Sequence, residues 1–387
     1  MDDRSGRIQR LHPHGERACG RALRACAARR PGRGGLMERS VLVIGAGQAG
    51  LAAAYHLARA GADYSIADAN RRVGDSWRAR YDALTLFTPR QFSALPGLEL
   101  SGNREGYSNR DEFADYLEAY ASRLKLPVET GRRVVRLSRL DDGRFEATFE
   151  DGGKRQASEI IVAAGAFQVP RIPTVAGKFG SDVLHLTTDI FRNANQLPDG
   201  PVLIVGDGAS GRDIAVECRR TQPVILATGK PRKLLPERIL GKSIWWWLHL
   251  TGALTASPDS LLGSRVRATD AFPDRDRSLE SLKRKDIRIA PRLVNADETT
   301  ARFSDGSSAE VRTVVWTVGY RDDSSWLDVP LAVNEDGSFR HEAGVSPVKG
   351  LYFVGRPWQR NRASALIMGA GPDAELVVQR LLADRGG

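Results

Sequence analysis

The feature that most constrains this chain is a glycine-rich turn between an apolar strand and an apolar helix. The run Val41-Leu42-Val43-Ile44 predicts a buried strand, and residues 51–60 predict a helix. Between them, Gly45, Gly47 and Gly50 form a Gly-x-Gly-x-x-Gly motif, the first glycine turn. In dinucleotide-binding units such glycines permit, in order, a tight turn, the close approach of a pyrophosphate and helix–strand packing. We therefore predict a dinucleotide site, with the phosphates at the helix N-terminus.

An acidic residue follows the next predicted strand, residues 64–67. Asp68 lies 23 residues after Gly45, close to the spacing at which a carboxylate accepts hydrogen bonds from a ribose 2′-hydroxyl. An ordinary glycine-rich loop does not explain this acid. The first glycine turn is therefore predicted to bind FAD or NAD, which both have a free 2′-hydroxyl.

The same strand–turn–helix pattern recurs at residues 201–220. The second glycine turn contains Gly206, Gly208, Ser210 and Gly211. The strand after it, residues 224–228, ends without an acid and is followed by Lys230 and Arg232. Cations at this position attract a 2′-phosphate that a carboxylate would repel, so this turn is predicted to bind NADPH. A solvated basic loop at residues 229–233 is the alternative.

Length and element order favour an α/β fold with two Rossmann-like domains. The 387 residues exceed one typical core, and strands alternate with helices. No apolar run is long enough for a transmembrane helix. The three cysteines, Cys19, Cys26 and Cys218, form neither a C-x-x-C pair nor a metal-binding spacing. We therefore predict no metal and favour a reducing, cytoplasmic location.

The net charge of +10 is concentrated at the N-terminus. Residues 1–36 hold nine arginines and three acidic residues, so they carry +6 of this charge. The remaining +4 suits anionic cofactors and does not indicate a nucleic-acid partner. Residues 1–38 show no pattern that continues into the fold. We expect a disordered extension with Met37 as the natural start, and an arginine-rich targeting peptide is the alternative.

Two aromatic stretches keep more than one interpretation. Trp77, Tyr81 and Phe87 fit either a small satellite core or the wall of a pocket for a flat ligand. Residues 245–247, three consecutive tryptophans, suit a substrate channel, a subunit interface, a membrane surface or packing within their own domain. Near the C-terminus, residues 311–318 and 350–354 predict strands. A final helix is expected to start at Pro372 and to run to about Leu382.

Together these motifs resemble the flavin-containing monooxygenase family, in particular its short bacterial and YUCCA-type members. The likeness covers roughly residues 39–385. It rests on both glycine turns, on Gly74-Asp75-Ser76-Trp77, on Leu84-Thr85-Leu86 and on the run from Gly350 to Trp358. Phe179 and His185 also match the family's linker fingerprint, while Ser181 and Asp189 depart from it.

The resemblance implies an FAD-binding domain, residues 39–170 and 311–387, with an NADPH-binding domain, residues 171–310, inserted into it. The FAD contacts it implies are Gly45, Gly47, Gly50, Asp68, Trp77, Val134, Gly165 and Gly371. The NADPH contacts it implies are Gly206, Gly208, Ser210, Gly211, Lys230 and Arg232. Thr88 and Gln91 are the candidate catalytic residues. The start of the last helix, expected near Gly371, is the candidate for stabilising negative charge on the reduced flavin.

The resemblance further implies a monooxygenase whose partners are O2 and a small organic substrate. NADPH would reduce FAD, dioxygen would add at the flavin C4a, and the resulting (hydro)peroxyflavin would transfer one oxygen atom. The alternatives are an NADPH-dependent flavoprotein reductase or oxidase and a redox sensor, neither of which inserts oxygen. The chain is expected to be a monomer or a homodimer.

Overall fold

The computed structural model describes residues 40–269 and 271–386. The expectations for residues 1–38 and for Met37 as a start lie outside the described residues. None of the helices in these two ranges is both long and apolar enough to cross a membrane.

The first domain is built on a five-stranded sheet in which all neighbouring strands are parallel. The strands in spatial order are Leu351–Phe353, Glu159–Val162, Val41–Ile44, Tyr64–Ala67 and Val128–Glu129. Each residue of the strand before the first glycine turn is buried, as expected for a parallel strand covered on both faces. Helix Gln48–Arg59 packs between this sheet and the C-terminal helix, Ile367–Gly386.

The second domain is built on another five-stranded parallel sheet. Its strands in spatial order are Ile287–Ala290, Val224–Ala227, Val202–Val205, Thr313–Trp316 and Leu184–Thr187. All five lie in sequence between two neighbouring strands of the first sheet, residues 159–162 and 351–353. The second domain is therefore inserted into the first, which confirms the predicted α/β architecture of two Rossmann-like domains.

One strand belongs to a different sheet from the one expected. We expected residues 311–318 to return to the first domain, but Thr313–Trp316 pairs with Val202–Val205 in the second sheet. That expectation is wrong because a buried apolar strand fits either sheet by composition, and only its pairing decides. The chain returns after this strand. Val169–Pro170 and Tyr320–Arg321, in the outward and returning connections, pair as an antiparallel ribbon.

Smaller sheets and the remaining helices surround the two parallel sheets. A four-stranded sheet contains Leu327–Asp328, Val134–Arg139, Phe145–Phe149 and Lys154–Ala157. The other strands are Leu234–Pro236 with Phe272–Asp274, Arg238–Ile239 with Lys242–Ser243, and Leu293–Asp297 with Thr300–Phe303 and Ser308–Glu310. The other helices are Asp75–Arg78, Arg110–Arg123, Ala209–Cys218, Ile244–Leu250, Leu261–Thr269 and Leu279–Arg284.

The C-terminal helix starts earlier than the proline suggested. It runs from Ile367 to Gly386, so Pro372 lies inside it and not at its first position. An internal proline costs about 3 kcal/mol. The buried residues, however, continue at helical spacing through it: Ile367, Ala370, Ala374, Val377, Val378 and Leu381. Burial of this apolar face offsets the cost, which sequence punctuation alone did not show.

We predict that His341 makes stability depend on pH in the first domain. Burial, reinforced by the charge of Arg356, lowers the pKa of His341 from 6.5 to about 4. The unfolded chain therefore binds a proton that the folded chain does not. The contribution of the neutral ring is complete above pH 6.5 and is lost as the pH falls towards 4, at up to about 1.4 kcal/mol per pH unit. In urea unfolding across this range, His341→Gln should show a weaker dependence; identical slopes would contradict the prediction.

Candidate functional site

The first glycine turn is held by contacts between backbone atoms. Gly45 has a φ of +105°, and a Cβ there would lie 2.6 Å from the carbonyl oxygen of Ala163. A Cβ at Gly50 would overlap the carbonyl of Gly45. In contrast, no atom lies within 4 Å of a Cβ built at Gly47. Two glycines therefore serve the packing of the turn, while Gly47 faces open space that suits an approaching pyrophosphate.

Asp68 lies beside this turn, as its spacing predicts. The carboxylate is 7% exposed. Its Oδ2 accepts a 2.6 Å hydrogen bond from the Ala46 N–H, and its Oδ1 accepts one of 2.8 Å from the Asn70 N–H. The side chain is thus fixed at the rim of the turn. Trp77 also lies there, because its Nε1 donates to Gln48 Oε1 at 3.2 Å, while its ring packs edge-on against Phe113. Trp77 therefore packs against the core beside the first glycine turn.

The other expected FAD contacts differ in position. The Arg132 N–H donates to the Asp68 carbonyl at 2.8 Å, so Val134 begins its strand close to the site. Gly165 follows strand Glu159–Val162, which neighbours the central strand Val41–Ile44, and its carbonyl accepts hydrogen bonds from Arg356 and Gln168. Gly371 is not at a helix start. A Cβ at Gly371 would lie 3.1 Å from the Pro96 ring.

A buried acceptor near the start of the last helix was missed in the sequence. Asp373 is fully buried, and Arg360 Nε donates to its Oδ1 at 2.6 Å. Its Oδ2 has no hydrogen-bond partner among the described residues. Burial raises the pKa of Asp373. An unsatisfied buried carboxylate oxygen is costly in isolation, so it fits a ligand hydroxyl or N–H group. In the sequence this acid directly follows Pro372, the expected helix start, where an acid is an ordinary first-turn residue.

The second glycine turn repeats the geometry of the first. Gly206 has a φ of +107°, and a Cβ there would lie 2.7 Å from the Thr317 carbonyl oxygen. A Cβ at Gly211 would overlap the carbonyl of Gly206, and Gly208 faces open space. The Thr317 hydroxyl donates to the Val205 carbonyl at 2.9 Å and thereby joins the turn to the neighbouring strand. The pattern suits a second dinucleotide.

An acid from the turn itself reaches the basic loop of this second site. The Asp207 carboxylate is buried, and its Oδ1 accepts from the Gly229 N–H at 3.3 Å. The same oxygen lies 3.6 Å from Arg232 Nε, while Oδ2 lies 3.1 Å from Arg212 Nη2. Lys230 is exposed in the same loop. The end of the strand carries no acid, and the signal for this one in the sequence is Asp207 at the position where the first turn has Ala46.

A charge cluster around the buried Asp213 joins the two domains next to this turn. Arg275 Nη1 donates to the carbonyls of Thr85 and Leu86 at 3.2 and 3.3 Å, and its Nη2 donates to Asp213 Oδ2 at 2.9 Å. Arg277 Nε donates to Asp213 Oδ1 at 2.9 Å. The buried Tyr81 lies against the same carboxylate and beside Ser210. Arg275 thus holds the first-domain loop 80–88 against the start of helix Ala209–Cys218.

The two candidate catalytic residues both have partners. Thr88 is buried, and its hydroxyl lies 2.7 Å from Ser93 Oγ. Gln91 Nε2 donates to Glu105 Oε1 at 2.7 Å. Both side chains are therefore fixed in the loop that follows the inter-domain contact.

The three tryptophans divide between two environments. Trp245 is buried, stacks on Phe87 and donates from Nε1 to the Phe87 carbonyl at 2.6 Å. It belongs to an apolar cluster that includes Leu254, Ala363 and Leu366, at the start of the last helix. Trp246 and Trp247 are half-buried. Trp245 therefore belongs to the second domain but packs against residues of the first domain.

Comparison with known proteins agrees with this arrangement. Residues 42–233 match the model of the pyridine nucleotide-disulphide oxidoreductase family. An uncharacterised CzcO-like oxidoreductase of Geobacillus kaustophilus is 41% identical over 88% of this chain and 98% of its own. Indole-3-pyruvate monooxygenase YUCCA1 of Oryza sativa is 26% identical over 81% of this chain and 86% of its own. A flavin-containing monooxygenase from Stenotrophomonas maltophilia superposes with a TM-score of 0.76 at 24% identity, covering 90% and 99% of the two chains.

We predict that Gly45→Ala and Gly47→Ala separate folding from cofactor binding. At Gly45 the methyl group meets backbone, so the variant should unfold at a lower temperature and lose FAD. At Gly47 the space is open, so the apoprotein should keep its melting temperature but bind FAD at least about tenfold more weakly. Thermal melts and flavin titration of the apoproteins measure both quantities. Unchanged flavin affinity in Gly47→Ala would place the cofactor elsewhere.

We predict that Arg232 binds the 2′-phosphate of NADPH and that Asp207 holds the Arg232 side chain in place. Arg232→Ala should raise the KM for NADPH roughly tenfold, the value of a lost charged hydrogen bond, and leave that for NADH nearly unchanged. Lys230→Ala should act in the same direction. Asp207→Asn should reproduce part of this preference change, because the amide keeps the hydrogen bond from Gly229 but loses the charge. Equal effects on both coenzymes would show that the basic loop does not contact the phosphate.

Proposed function

Since the chain belongs to the flavin-containing monooxygenase family, we propose that it takes hydride from NADPH and transfers one oxygen atom from O2 to a small organic substrate. The observation that supports this proposal is that each of the two domains has an open glycine turn, and that Arg275 connects the two domains. Two separate dinucleotide sites are what a reaction from NADPH through FAD requires.

The first domain fits FAD by shape and by hydrogen bonding. Gly47 leaves space for the pyrophosphate, and Asp68 stands at the rim where a ribose binds. The unpartnered Oδ2 of Asp373 offers an acceptor to a hydroxyl or N–H group. We assign Trp77, Val134 and Gly165 to the walls of this site. Gly371 is not assigned there, because it packs against Pro96.

The second domain fits NADPH. Gly208 leaves the approach to the helix N-terminus open, and Ser210 lies in the first turn of helix Ala209–Cys218. Lys230 and Arg232 supply positive charge where the 2′-phosphate of the coenzyme would lie. We propose that this domain extends to about residue 318, and not to 310, because its sheet includes Thr313–Trp316.

Loop 80–88 positions the two cofactors relative to each other. Hydride transfer depends on holding donor and acceptor in contact. Arg275 ties the carbonyls of Thr85 and Leu86 to Asp213, in the helix that follows the second glycine turn. This contact fixes the first-domain loop that leads to Thr88. We propose Thr88 and Gln91 as polar contacts at the flavin edge.

The residues around Trp245 keep water out of the reaction region. When bound, the flavin supplies the hydride acceptor and the chemistry of dioxygen activation. The chain supplies the apolar cover formed by Phe87, Trp245 and Leu366, because water diverts reactive intermediates. The same cover includes the start of helix Ile367–Gly386, whose positive end favours nearby negative charge. This helix start replaces Gly371 as the candidate for that role.

A reductase that relays electrons through protein thiols is a weaker interpretation. Cys218 is the cysteine within the described residues. It is buried, and burial raises the pKa of its thiol to about 12, so it forms little thiolate at neutral pH. A reductase or oxidase without thiols, and a redox sensor, remain distinguishable by experiment. We propose a cytoplasmic enzyme, monomeric or homodimeric, since its cysteine pattern fits a reducing compartment.

The test is a two-step measurement on the purified flavoprotein. NADPH is mixed without oxygen and flavin reduction is followed; isotopically labelled O2 is then added with amines, sulfides, ketones or α-keto acids, the last because the rice relative is an indole-3-pyruvate monooxygenase. We expect label in one product, in proportion to NADPH consumed. Hydrogen peroxide equal to NADPH consumed with every substrate class would support the oxidase or sensor alternative.

Arg275→Ala tests the observation on which the proposal rests. It should slow flavin reduction at saturating NADPH at least about tenfold, since misplacement of a positioned donor costs that much or more. Arg277→Ala is the matched control, because Arg277 shares Asp213 but makes no contact with the carbonyls of residues 85 and 86. Equal rates in the two variants would show that the bridge does not position the cofactors.

A further inference from the structure

A hairpin on the second domain presents leucine where a solvated turn favours asparagine or glycine. Arg238–Ile239 pairs with Lys242–Ser243, and Leu240 and Gly241 form the turn with φ values of +49° and +76°. Leucine is disfavoured in this left-handed conformation, whereas Asn-Gly adopts it readily. Leu240 is also 87% exposed. The chain therefore bears both strain and apolar exposure here, with no contact inside the described residues that repays them.

Neighbouring apolar residues extend this tip into a surface. The Trp247 Nε1 donates to the Ile239 carbonyl at 3.0 Å, so the hairpin lies against helix Ile244–Leu250. Leu250, one turn after Trp247, is 61% exposed, and Ile239 is exposed as well. We call Ile239, Leu240, Trp247 and Leu250 the hairpin surface. Half-buried tryptophan beside exposed leucine is typical of segments at a lipid–water interface.

The charges around the hairpin surface indicate its partner. Arg238 and Lys242 flank Leu240 on the two strands. Residues 237–269 contain four Arg or Lys residues and two acids, Glu237 and Asp259. Arg238 also pairs with Glu105 of the first domain at 3.6 Å, so Lys242 is the cation of the hairpin that is left for an external anion. The following helix, Leu261–Thr269, repeats the combination, with two exposed leucines at its start and Arg265 and Arg267 after them. Two copies meeting through this surface would bring like charges together, whereas an anionic membrane complements them.

We propose that the hairpin surface docks the enzyme on anionic lipid bilayers as a peripheral membrane protein. Leu240 inserts between the headgroups, and Lys242 binds lipid phosphates. The segment that docks is continuous with Trp245, which covers the start of the last helix. Docking therefore places the covered region of the enzyme next to the membrane.

The test is co-sedimentation of the full-length flavoprotein with vesicles. Vesicles of phosphatidylcholine alone are compared with vesicles of phosphatidylcholine and phosphatidylglycerol in equal amounts. We expect binding to the anionic vesicles that falls as salt is raised. Leu240→Asn should lower the partition coefficient about tenfold or more, while keeping the turn, since asparagine accepts its φ. Lys242→Glu should weaken binding to the anionic vesicles and leave binding to the phosphatidylcholine vesicles unchanged.

Leu331→Asn is the matched control. Leu331 is 64% exposed and lies in the first domain, in the short helix Pro330–Ala332 that follows strand Leu327–Asp328. The nine N-terminal arginines are present in every variant, so differences between variants report the hairpin alone. The proposal is overturned if anionic vesicles are not preferred. It is also overturned if Leu240→Asn binds the vesicles as strongly as the wild type and the Leu331→Asn control. It is also overturned if sedimentation velocity shows a dimer that Leu240→Asn dissociates, which would make the surface an interface between copies.

Discussion

The close approach of each glycine turn to the end of a neighbouring strand and to the start of its own helix, made between backbone atoms, is the constraint on which the rest of this structure depends. At both glycine turns the first glycine lies against the carbonyl of a neighbouring strand end, Ala163 in one domain and Thr317 in the other. The third glycine allows the helix to approach the turn. Only then do the helix N–H groups and the open side of the middle glycine face the same space, which is the requirement for phosphate binding.

Buried ion pairs, and not apolar surface alone, join the second glycine turn to its surroundings. Arg212 is 2% exposed and pairs with Asp207, while Arg275 and Arg277 share Asp213. Removing Asp207 would leave the buried Arg212 guanidinium without its carboxylate, which costs about 3–5 kcal/mol. These pairs connect loop 80–88 and the basic loop to the second glycine turn and to the helix that follows it.

The sequence predicts this fold well where local spacing has one structural solution. Strand, glycine turn and helix at residues 41–60 follow from pattern alone, as does their recurrence at residues 201–220. The insertion of one domain into the other was expected from the family resemblance and not from the pattern. The sequence does not predict which sheet contains Thr313–Trp316, because a buried apolar strand can pair in either sheet. The role of Asp207 depends on tertiary contacts, because this acid reaches the basic loop from the turn and not from the end of the strand. The start of the last helix depends on them too, because burial of its apolar face extends the helix to the N-terminal side of Pro372.

Because one sheet is nested within the other along the chain, the two domains complete their sheets at different times during synthesis. All strands of the second sheet lie within residues 184–316, whereas the first sheet needs Leu351–Phe353 and is covered by helix Ile367–Gly386. During synthesis the inserted domain therefore has its complete sheet before the surrounding one does. Until the last residues leave the ribosome, strand Glu159–Val162 has a bare edge and helix Gln48–Arg59 an uncovered apolar face. A ribosome that stalls late in the message would release a finished coenzyme domain attached to an open, aggregation-prone sheet.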